Sequence, residues 1–372
     1  MKKAIFTALA AGALILAGCT KVETTDIPES RIIQFTDFVT NDVKSIETAD
    51  DLTMFRVFGA VGENEEDKVF DHGFVSKSEN EWHTETTAYW QPGYIYKFAA
   101  YSNENTTITE GTDFDYATGH LTISDYTVEQ TENGTLDLVY ATSDPISTED
   151  WDGTTPMDKV QLTFNHILSM IEFNFTKDET LNGHDITISN IKVNATSNGT
   201  FTGTDLTSSQ YPFTCWTAAT TPAKADYAFD DFMIPSDGII SGSTNERNPD
   251  QDPNTSSNTV VPVETSLIML PQETTDLNVT FTLTWKEILI DGSTGTTDKT
   301  KNYTVSLANA AESADDSNKW LPGYHYTYTA TIGATNLDLV PIVFDVDVND
   351  GLAGWDDPND VPVETEDIND NN

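Results

Sequence analysis

A cysteine near the start of the chain stands in a setting that favours covalent lipid attachment. Residues Leu16–Cys19 read Leu-Ala-Gly-Cys and close a short apolar run that two lysines precede. These are the parts of an export signal. The run is too short for a membrane-spanning helix, which needs roughly 20 apolar residues. The sequence therefore predicts that residues 1–18 are a lipoprotein signal peptide, removed before Cys19, and that the new amino group and the thiol are acylated, with palmitate among the acyl chains.

The predicted lipid is the only membrane attachment that the sequence indicates. Modification at such a cysteine normally supplies more than one acyl chain, so retention should be firm. No second apolar stretch of comparable length follows. Residues 19–31 are then a lipidated tether, and contact with a membrane is expected only through the N-terminal lipid.

Residues that could carry catalysis do not form a recognised constellation. Cys215 has no HEXXH, GxSxG or CxxC motif around it, and the six histidines are scattered without the spacing of metal ligands. His166 falls on the inward face of a predicted strand, which favours a satisfied core histidine over a base or ligand. We expect no catalytic residue and no cofactor, and the chain is predicted not to be an enzyme.

Acidic residues near the C-terminus partly match a calcium-binding loop. Asp345, Asp347, Asn349 and Asp356 occupy the first, third, fifth and twelfth places of such a loop, but Asp350 stands where glycine should allow the sharp turn. Strand alternation explains the same acids more simply. No metal site is predicted.

The charge of the chain restricts its partners. It holds 61 acidic and 18 basic residues, a formal net charge of −43. Such a charge keeps copies soluble and opposes binding to nucleic acid or to anionic lipid surfaces. With Cys19 acylated, Cys215 has no cysteine to pair with, so stability must come from burial. The length is sufficient for two ordinary domains.

The elements that would position these residues are β-strands almost throughout. Apolar residues alternate with Thr, Asn or charged residues, so one face of each run is apolar. This pattern is typical of half-buried strands in β-sandwiches. The alternating runs are Tyr94–Ala100, Val160–His166, Ile171–Phe175, Val279–Trp285, Tyr324–Ile332 and Ile342–Val348.

A turn-rich segment divides the chain. Apolar alternation stops in Trp151–Asp158, where Gly, Pro and acids cluster. This predicts an N-terminal β-sandwich domain at 32–150 and a C-terminal one at 157–355. The tail at 356–372 is acidic, contains no basic residue, and is expected to be mobile.

Several aromatic and apolar motifs follow one another in a fixed order. They are Leu52-x-x-Phe55-x-Val57, Tyr89-Trp90-x-Pro92 leading into Tyr96-x-Phe98-x-Ala100-Tyr101, Leu138-Val139-Tyr140-Ala141, Val160-x-Leu162-x-Phe164-x-His166-x-Leu168-Ser169, Trp320-x-Pro322-Gly323-Tyr324-x-Tyr326-x-Tyr328, and Ile342-x-Phe344-x-Val346, with Trp355 beyond. Their order and spacing, together with the lipid-attachment motif, resemble the fimbrillin family of Bacteroides-type bacteria. The resemblance covers nearly the whole mature chain.

The resemblance implies an all-β fold of two tandem transthyretin-like β-sandwich domains. It also implies a fimbrial subunit, or pilin, that is exported as an outer-membrane lipoprotein and assembled at the cell surface after proteolysis. In such fimbriae a protease removes an N-terminal strand at a basic residue, and a strand from a neighbouring subunit fills the groove. Lys44 follows the predicted first strand, so a cut there would release it. Arg31 precedes that strand and is the second candidate.

The last alternating run is the candidate donor strand. Ile342, Phe344, Val346 and Val348 would enter pockets of the neighbouring groove while the backbone adds a strand, the mode called β-augmentation. The alternative is that Ile342–Val348 is the last strand of its own domain. The residues alone leave both interpretations open.

Two functional classes follow. The first is a structural fimbrial subunit whose partners are other fimbrial subunits and a processing protease. The second is a monomeric surface lipoprotein or tip adhesin that binds a glycan or a host or bacterial surface ligand. Trp82, Trp90 and Trp151 could stack on sugars in the second class, although aromatic residues of β-sandwiches more often belong to the core.

Overall fold

The computed structural model describes residues 31–39, 52–62, 67–79, 81–103, 111–131, 134–205, 211–236, 266–289, 292–308, 318–338 and 341–349. In these ranges nearly all regular structure is β, which confirms the predicted fold class. The described ranges also contain one short helix, α1 (Ala334–Asp338), and 3-10 turns such as Glu179–Leu181 and Phe213–Cys215. None of the described helices is long and apolar enough to cross a bilayer. The signal peptide, Cys19, Lys44 and the tail at 356–372 lie outside these ranges.

The described strands are numbered in chain order. The first twelve are β1 (Phe35–Val39), β2 (Met54–Ala60), β3 (Lys68–Ser78), β4 (Glu81–Thr84), β5 (Ile95–Ser102), β6 (Thr112–Asp115), β7 (His120–Thr127), β8 (Gln130–Thr131), β9 (Gly134–Thr135), β10 (Val139–Thr142), β11 (Ile146–Ser147) and β12 (Val160–His166). The others are β13 (Ser169–Lys177), β14 (Ile186–Thr196), β15 (Asn198–Thr202), β16 (Trp216–Ala218), β17 (Lys224–Ala228), β18 (Phe232–Ile234), β19 (Leu267–Met269), β20 (Asn278–Ile288), β21 (Thr294–Ser306), β22 (His325–Ile332) and β23 (Asp345–Asn349).

The largest sheet holds eight strands from the first half of the chain. Its order is β1-β12-β10-β5-β2-β3-β4, with β11 also paired to β5. The sheet curls strongly, because Phe35 of β1 and Phe70 of β3 lie five strands apart in this order while their ring centroids are 5.6 Å apart. Its concave face encloses a core of large apolar side chains, including Phe55, Phe98 and Phe164.

A second core lies between two sheets of the C-terminal half. Sheet β19-β13-β22-β23 packs on sheet β17-β14-β20-β21, to which β18 adds beside β14. Phe175 of β13 contacts Phe281 of β20 across this core, with ring centroids 4.9 Å apart. The predicted alternation of these strands is confirmed, since every second residue of β20 from Val279 to Trp285 is buried.

Strands from the two halves of the chain pair with one another in the same sheets, which the sequence pattern did not indicate. Sheet β16-β15-β7-β6 joins two strands from each half and packs on the convex face of the eight-stranded sheet. Strand β12, which the sequence assigned to the second domain, hydrogen-bonds to β1 and β10 of the first sheet. The boundary expected at Trp151–Asp158 therefore precedes the last strand of that sheet. The turn signal is real, but composition does not reveal which sheet the following strand joins.

Two turns of the same sequence pattern, Trp-x-Pro-Gly-Tyr-x-Tyr, begin strands β5 and β22. Gly93 and Gly323 adopt φ of 90° and 77°, which glycine reaches without strain. In the first turn the Gln91 N–H donates to the Tyr96 hydroxyl at 2.7 Å, and in the second the Leu321 N–H donates to the Tyr326 hydroxyl at 2.9 Å. The two turns are thus a structural repeat.

The repeat extends to the segments beside each turn. The Trp90 N–H donates to the Arg31 carbonyl at 2.8 Å, and the Trp320 N–H donates to the Gln272 carbonyl at 2.9 Å. Hydroxyl groups brace both turns, because Thr148 donates to the Gln91 carbonyl and Ser169 to the Leu321 carbonyl. Each half of the chain therefore has one such braced turn.

Candidate assembly site

The N-terminal strand β1 lies at the edge of the first sheet. Among the described strands it pairs only with β12, in parallel, with Phe35 opposite Val160. A strand in the middle of a sheet has two neighbours, and its loss would break two ladders. Loss of β1 would break one ladder of hydrogen bonds. The remaining strands, from β12 to β4 in the order of the sheet, would stay paired with one another.

Two side chains anchor this N-terminal segment in the first core. Ile33 and Phe35 are each at most 2% exposed. The Phe35 ring meets the rings of Phe55, Phe70 and Phe98 edge-on, with centroids 5.6 to 5.9 Å apart. Phe35 therefore closes the seam between the two ends of the curled sheet. Edge-to-face pairs of this kind stabilise a core by about 0.5–1.5 kcal/mol beyond burial.

Arg31, the second processing candidate, is tied to the body of the first domain. Its guanidinium donates to the Trp90 carbonyl at 3.1 Å and lies 5.5 Å from the Trp151 ring centroid. Its own carbonyl accepts the Trp90 N–H, and the N–H of Ile33, two residues further along the chain, donates to the Ala88 carbonyl at 2.9 Å. The bond after Arg31 is therefore part of a hydrogen-bonded, partly covered segment.

A rigid turn holds the aromatic ring over Arg31. The Trp151 indole N–H donates to the Thr155 carbonyl at 2.7 Å. The Asp152 carboxylate accepts backbone N–H bonds from Thr155 and Thr154, and these bonds lower the pKa of Asp152 to about 2. Asp152 is therefore ionised at neutral pH and accepts these hydrogen bonds within the turn that carries Trp151.

The C-terminal run is seated in its own domain in this structure. Strand β23 pairs antiparallel with β22, Val346 lying opposite Tyr328 and Val348 opposite Tyr326, and among the described strands it has no second neighbour. Ile342 is buried. The Phe344 ring contacts four aromatic rings of the second core, those of Phe173, Phe175, Phe281 and Tyr328, at 5.5 to 6.3 Å. Both described terminal strands are therefore edge strands. In or just before each one, two alternate apolar side chains lie in or against a core, Ile33 and Phe35 at one end of the chain and Ile342 and Phe344 at the other.

Two buried histidines away from the edge strands lie beside carboxylates. His166 is buried, as its strand position predicted, and its Nδ1 contacts the buried carboxylate of Asp137. His325 Nε2 lies 3.1 Å from a Glu172 carboxylate oxygen. In the described ranges there is no group of three or more His, Cys, Asp or Glu residues that could hold a metal ion. That the chain lacks catalytic activity stays a prediction.

Of the three tryptophans considered for sugar stacking, Trp90 is buried, and Trp82 and Trp151 are partly exposed. Trp90 is 1% exposed. Trp82 packs on Phe55, with centroids 4.9 Å apart, and Trp151 covers Arg31. The structure thus brings Arg31 together with the Trp151 ring and the Trp90 carbonyl, while Cys19 and Lys44 lie outside the described residues.

The repeat of the braced turn is visible in the sequence as well as in the structure. Trp90–Tyr96 and Trp320–Tyr326 are identical at five of seven positions. Each motif alone does not reveal the repeat, which appears only when the two halves of the chain are aligned.

The fold and the site together define a class. This is an all-β protein of packed sheets, whose first and last described strands are edge strands that lie against two different cores. A crystal structure of a fimbrial protein from Bacteroides vulgatus has the same fold, with a TM-score of 0.52 and 15% identity over 88% of this chain and 100% of that one. The tip fimbrial protein Mfa3 from Porphyromonas gingivalis, C-terminally truncated, aligns over 85% of this chain and 97% of its own with 9% identity and a TM-score of 0.40.

The sequence model of the fimbrillin-like family matches residues 39–350. The chain belongs to the fimbrillin-like family, as its motif order indicated. No curated protein sequence is similar enough to the chain to count as a match.

Proposed function

We propose that this chain is a structural subunit of a cell-surface fimbria, exported as a lipoprotein acylated at Cys19 and assembled by removal of its N-terminal strand and donor-strand exchange. Membership of the fimbrillin-like family supports a fimbrial role at the cell surface. The observation that carries the assembly step is the position of β1, an edge strand whose Phe35 closes the seam of the first core.

Removal of β1 would leave a surface that must be refilled. The rings of Phe55, Phe70 and Phe98 would lose their contacts with Phe35, and the β12 edge would expose its N–H and C=O groups. Open apolar edges of this kind recruit another strand. Burying two large side chains in place of Ile33 and Phe35 would gain about 3–6 kcal/mol before ordering costs.

The cut that would release the strand is best placed at Lys44. Lys44 follows β1 in the sequence, so a cut after it would separate the strand from the rest of the chain. Arg31 precedes β1, so a cut there would leave the strand in place, and its side chain lies between the Trp90 carbonyl and the Trp151 ring. We therefore keep Lys44 as the processing site and interpret Arg31 as an anchor of the uncut state.

The strand that would fill the groove is Ile342–Val348. Its alternate side chains Ile342, Phe344, Val346 and Val348 already contact one core in this structure, so they have the spacing that a second groove requires. Donation requires this segment to leave β22. Because β23 is an edge strand, that departure breaks one ladder.

Limited digestion tests this proposal. Full-length protein is treated with limiting trypsin, the new N-terminus is identified by mass, and SDS-resistant ladders are followed. We expect a cut after Lys44 followed by ladders, and no ladders from a variant lacking Ile342–Val348. The matched variant Lys44→Gln should remain uncut at that site and monomeric. Cutting without any polymer would contradict strand exchange.

A tip adhesin or a monomeric surface lipoprotein is the second candidate. The observation that favours it is the C-terminal segment, since Phe344 is packed among four rings of its own domain and a terminal subunit need not donate a strand. This candidate predicts a protein that stays monomeric after the cut and binds a glycan or a host surface ligand.

A further inference from the structure

The segments at the two ends of the described chain share one spacing of apolar residues. They are Ile33–Val39 and Ile342–Val348, and both read Ile-x-Phe-x-x-x-Val. The fifth position is Asp37 in the first segment and Val346 in the second. The C-terminal run therefore repeats the pattern of the segment that contains β1 and adds one apolar residue to it.

The isoleucine and the phenylalanine of each segment have similar surroundings. Ile33 and Ile342 are both buried, at 1% and 4% exposure. The Phe35 ring contacts three aromatic rings of the first core, and the Phe344 ring contacts four of the second. All of these ring contacts are edge-to-face. Each core thus holds a buried isoleucine and, two residues further along the chain, a phenylalanine in an aromatic pocket.

The repeated turn supplies an equivalent ring to both aromatic pockets. Phe98 and Tyr328 each stand eight residues after the first tryptophan of their turn. The centroids of Phe35 and Phe98 are 5.8 Å apart, with the ring planes at 88°. The centroids of Phe344 and Tyr328 are 6.0 Å apart, with the planes at 90°. Phe344 therefore already meets one copy of the repeat in the way that Phe35 meets the other.

One placement of the C-terminal run on β12 matches the isoleucine, phenylalanine and valine positions together. Strand β1 runs parallel to β12 with Phe35 opposite Val160. A donor that runs the same way, with Phe344 in the place of Phe35, also puts isoleucine on isoleucine and valine on valine. A donor that runs the opposite way puts Val346 in the Ile33 site, where it is one methylene short. A shift by two residues puts isoleucine or valine in the aromatic pocket.

The edge that would receive the donor carries no acidic residue. Strand β12 reads Val-Gln-Leu-Thr-Phe-Asn-His in a chain that holds 61 acidic residues. In the register of β1, Asp345 of a parallel donor would lie opposite Gln161. Asp347 would lie opposite Thr163. Like charges on directly opposite residues destabilise a sheet, and here both aspartates are opposite neutral residues.

We propose that the segment Ile342–Val348 of one copy takes the places of Ile33–Val39 in the next copy, residue for residue and parallel to β12. Phe344 fixes this register, because its ring requires the aromatic pocket that Phe35 leaves. Strand β1 is then an internal competitor for the same groove, and its removal decides when a second copy can bind. This inference rests on the proposed fimbrial function and adds the direction and register that strand exchange alone leaves open.

Disulfide trapping tests the direction of the donor. Full-length chains carrying Gln161→Cys are mixed with chains carrying Asp345→Cys, cut after Lys44, left to assemble and oxidised. The parallel register puts these two positions opposite each other, within the Cα separation of roughly 4.4–6.8 Å that a disulfide needs. Val343→Cys is the matched control, because an antiparallel donor with Phe344 in the same pocket would bring Val343 opposite Gln161. All three substituted positions are exposed.

We expect disulfide-linked pairs of copies from the Asp345→Cys mixture after the cut. None should form from the Val343→Cys mixture or from uncut protein, and each variant alone measures the background from like copies and native cysteines. Polymers that are trapped through Val343→Cys, or through neither position, would overturn the register and leave the proposed function standing. If the unmodified chain forms no polymer after the cut, the proposed function and this inference both fail.

A peptide competition tests the same register without cysteine variants. A synthetic peptide of residues 32–40 should slow polymerisation of the cut protein, because it carries the pattern of the donor in the same direction. The peptide with Phe35→Ala should inhibit about 10- to 100-fold more weakly, since a buried phenylalanine side chain contributes about that factor to binding. A peptide of the reversed sequence has the same composition and should inhibit as weakly. Equal inhibition by the native and reversed peptides would contradict the assigned direction.

Discussion

One aromatic ring covers the side chain of Arg31, a candidate site of proteolytic cleavage. The guanidinium lies over Trp151 and is hydrogen-bonded to Trp90. We predict that Trp151→Ala will admit a new tryptic cut after Arg31, because removing the ring uncovers the side chain that trypsin must bind. Mass spectrometry of timed digests measures this cut. Trp151→Phe should stay protected, and equal cutting of the two variants would show that the ring does not protect Arg31.

Cys215 gives a second prediction for a single residue. Burial raises the pKa of the Cys215 thiol to about 11, so at pH 8 its thiolate fraction, and hence its alkylation rate, should be about 100-fold lower in folded than in unfolded protein. Because the folded pKa is the higher one, the contribution of this group to stability is complete below roughly pH 8.5 and is lost as the pH rises towards 11. The alkylation rate is measured by treating the protein with iodoacetamide and quantifying the modified peptide by mass spectrometry. Fast alkylation of the native protein would contradict the burial of this thiol.

At the scale of elements, β1 should stabilise only the uncut protein. We predict that Phe35→Ala lowers the free energy of unfolding of the uncut protein by about 3–5 kcal/mol, since it removes a fully buried ring from the seam. Urea unfolding measures the loss. Thr36→Ala on the same strand should cost about 0.5 kcal/mol or less.

After the cut and removal of the strand, the effect of Phe35→Ala should vanish, because the residue no longer belongs to the folded unit. A Phe35→Ala effect that persists in the processed protein would show that β1 remains bound.

The repeated turns allow one substitution to be compared in two environments. Tyr326→Phe removes the acceptor of the Leu321 N–H, which is buried, and should lower the free energy of unfolding by about 1–3 kcal/mol. Tyr96→Phe removes the acceptor of the Gln91 N–H, but Gln91 is exposed and water can replace the hydroxyl, so the cost should be about 1 kcal/mol or less. Thermal or urea unfolding of the two variants measures the difference. Equal losses would contradict the difference in exposure.

Local alternation predicted the elements well and their partners poorly. The runs at Val160–His166 and Val279–Trp285 form β12 and β20, because a period of two directly reports a half-buried strand. The pairing of β1 with β12 depends on contacts about 125 residues apart in sequence, which no local pattern encodes. For the same reason the predicted domain boundary falls before β12, a strand that pairs with the first sheet. For the candidate site, Arg31 and the C-terminal run were identified from residue type, but the ring over Arg31 was visible only once Trp151 was placed beside it.

The whole molecule carries a large excess of negative charge. A net charge of −43 makes copies repel one another in solution. Assembly must therefore bury enough apolar surface to offset that repulsion. In the proposed exchange this surface is the groove lined by Phe55, Phe70 and Phe98, which Phe35 of β1 fills in the uncut protein.

The central claim is that the C-terminal strand changes partner once β1 is gone. The most direct measurement replaces Phe344 with a benzophenone photo-cross-linking residue and mixes isotopically heavy and light copies before and after the cut. Before the cut, cross-links should lead to Phe173, Phe175 or Phe281 of the same copy. After the cut, cross-links should lead instead to peptides containing Phe55, Phe70 or Phe98 of a differently labelled copy. Cross-links that stay within the same copy after β1 has been removed would contradict strand donation.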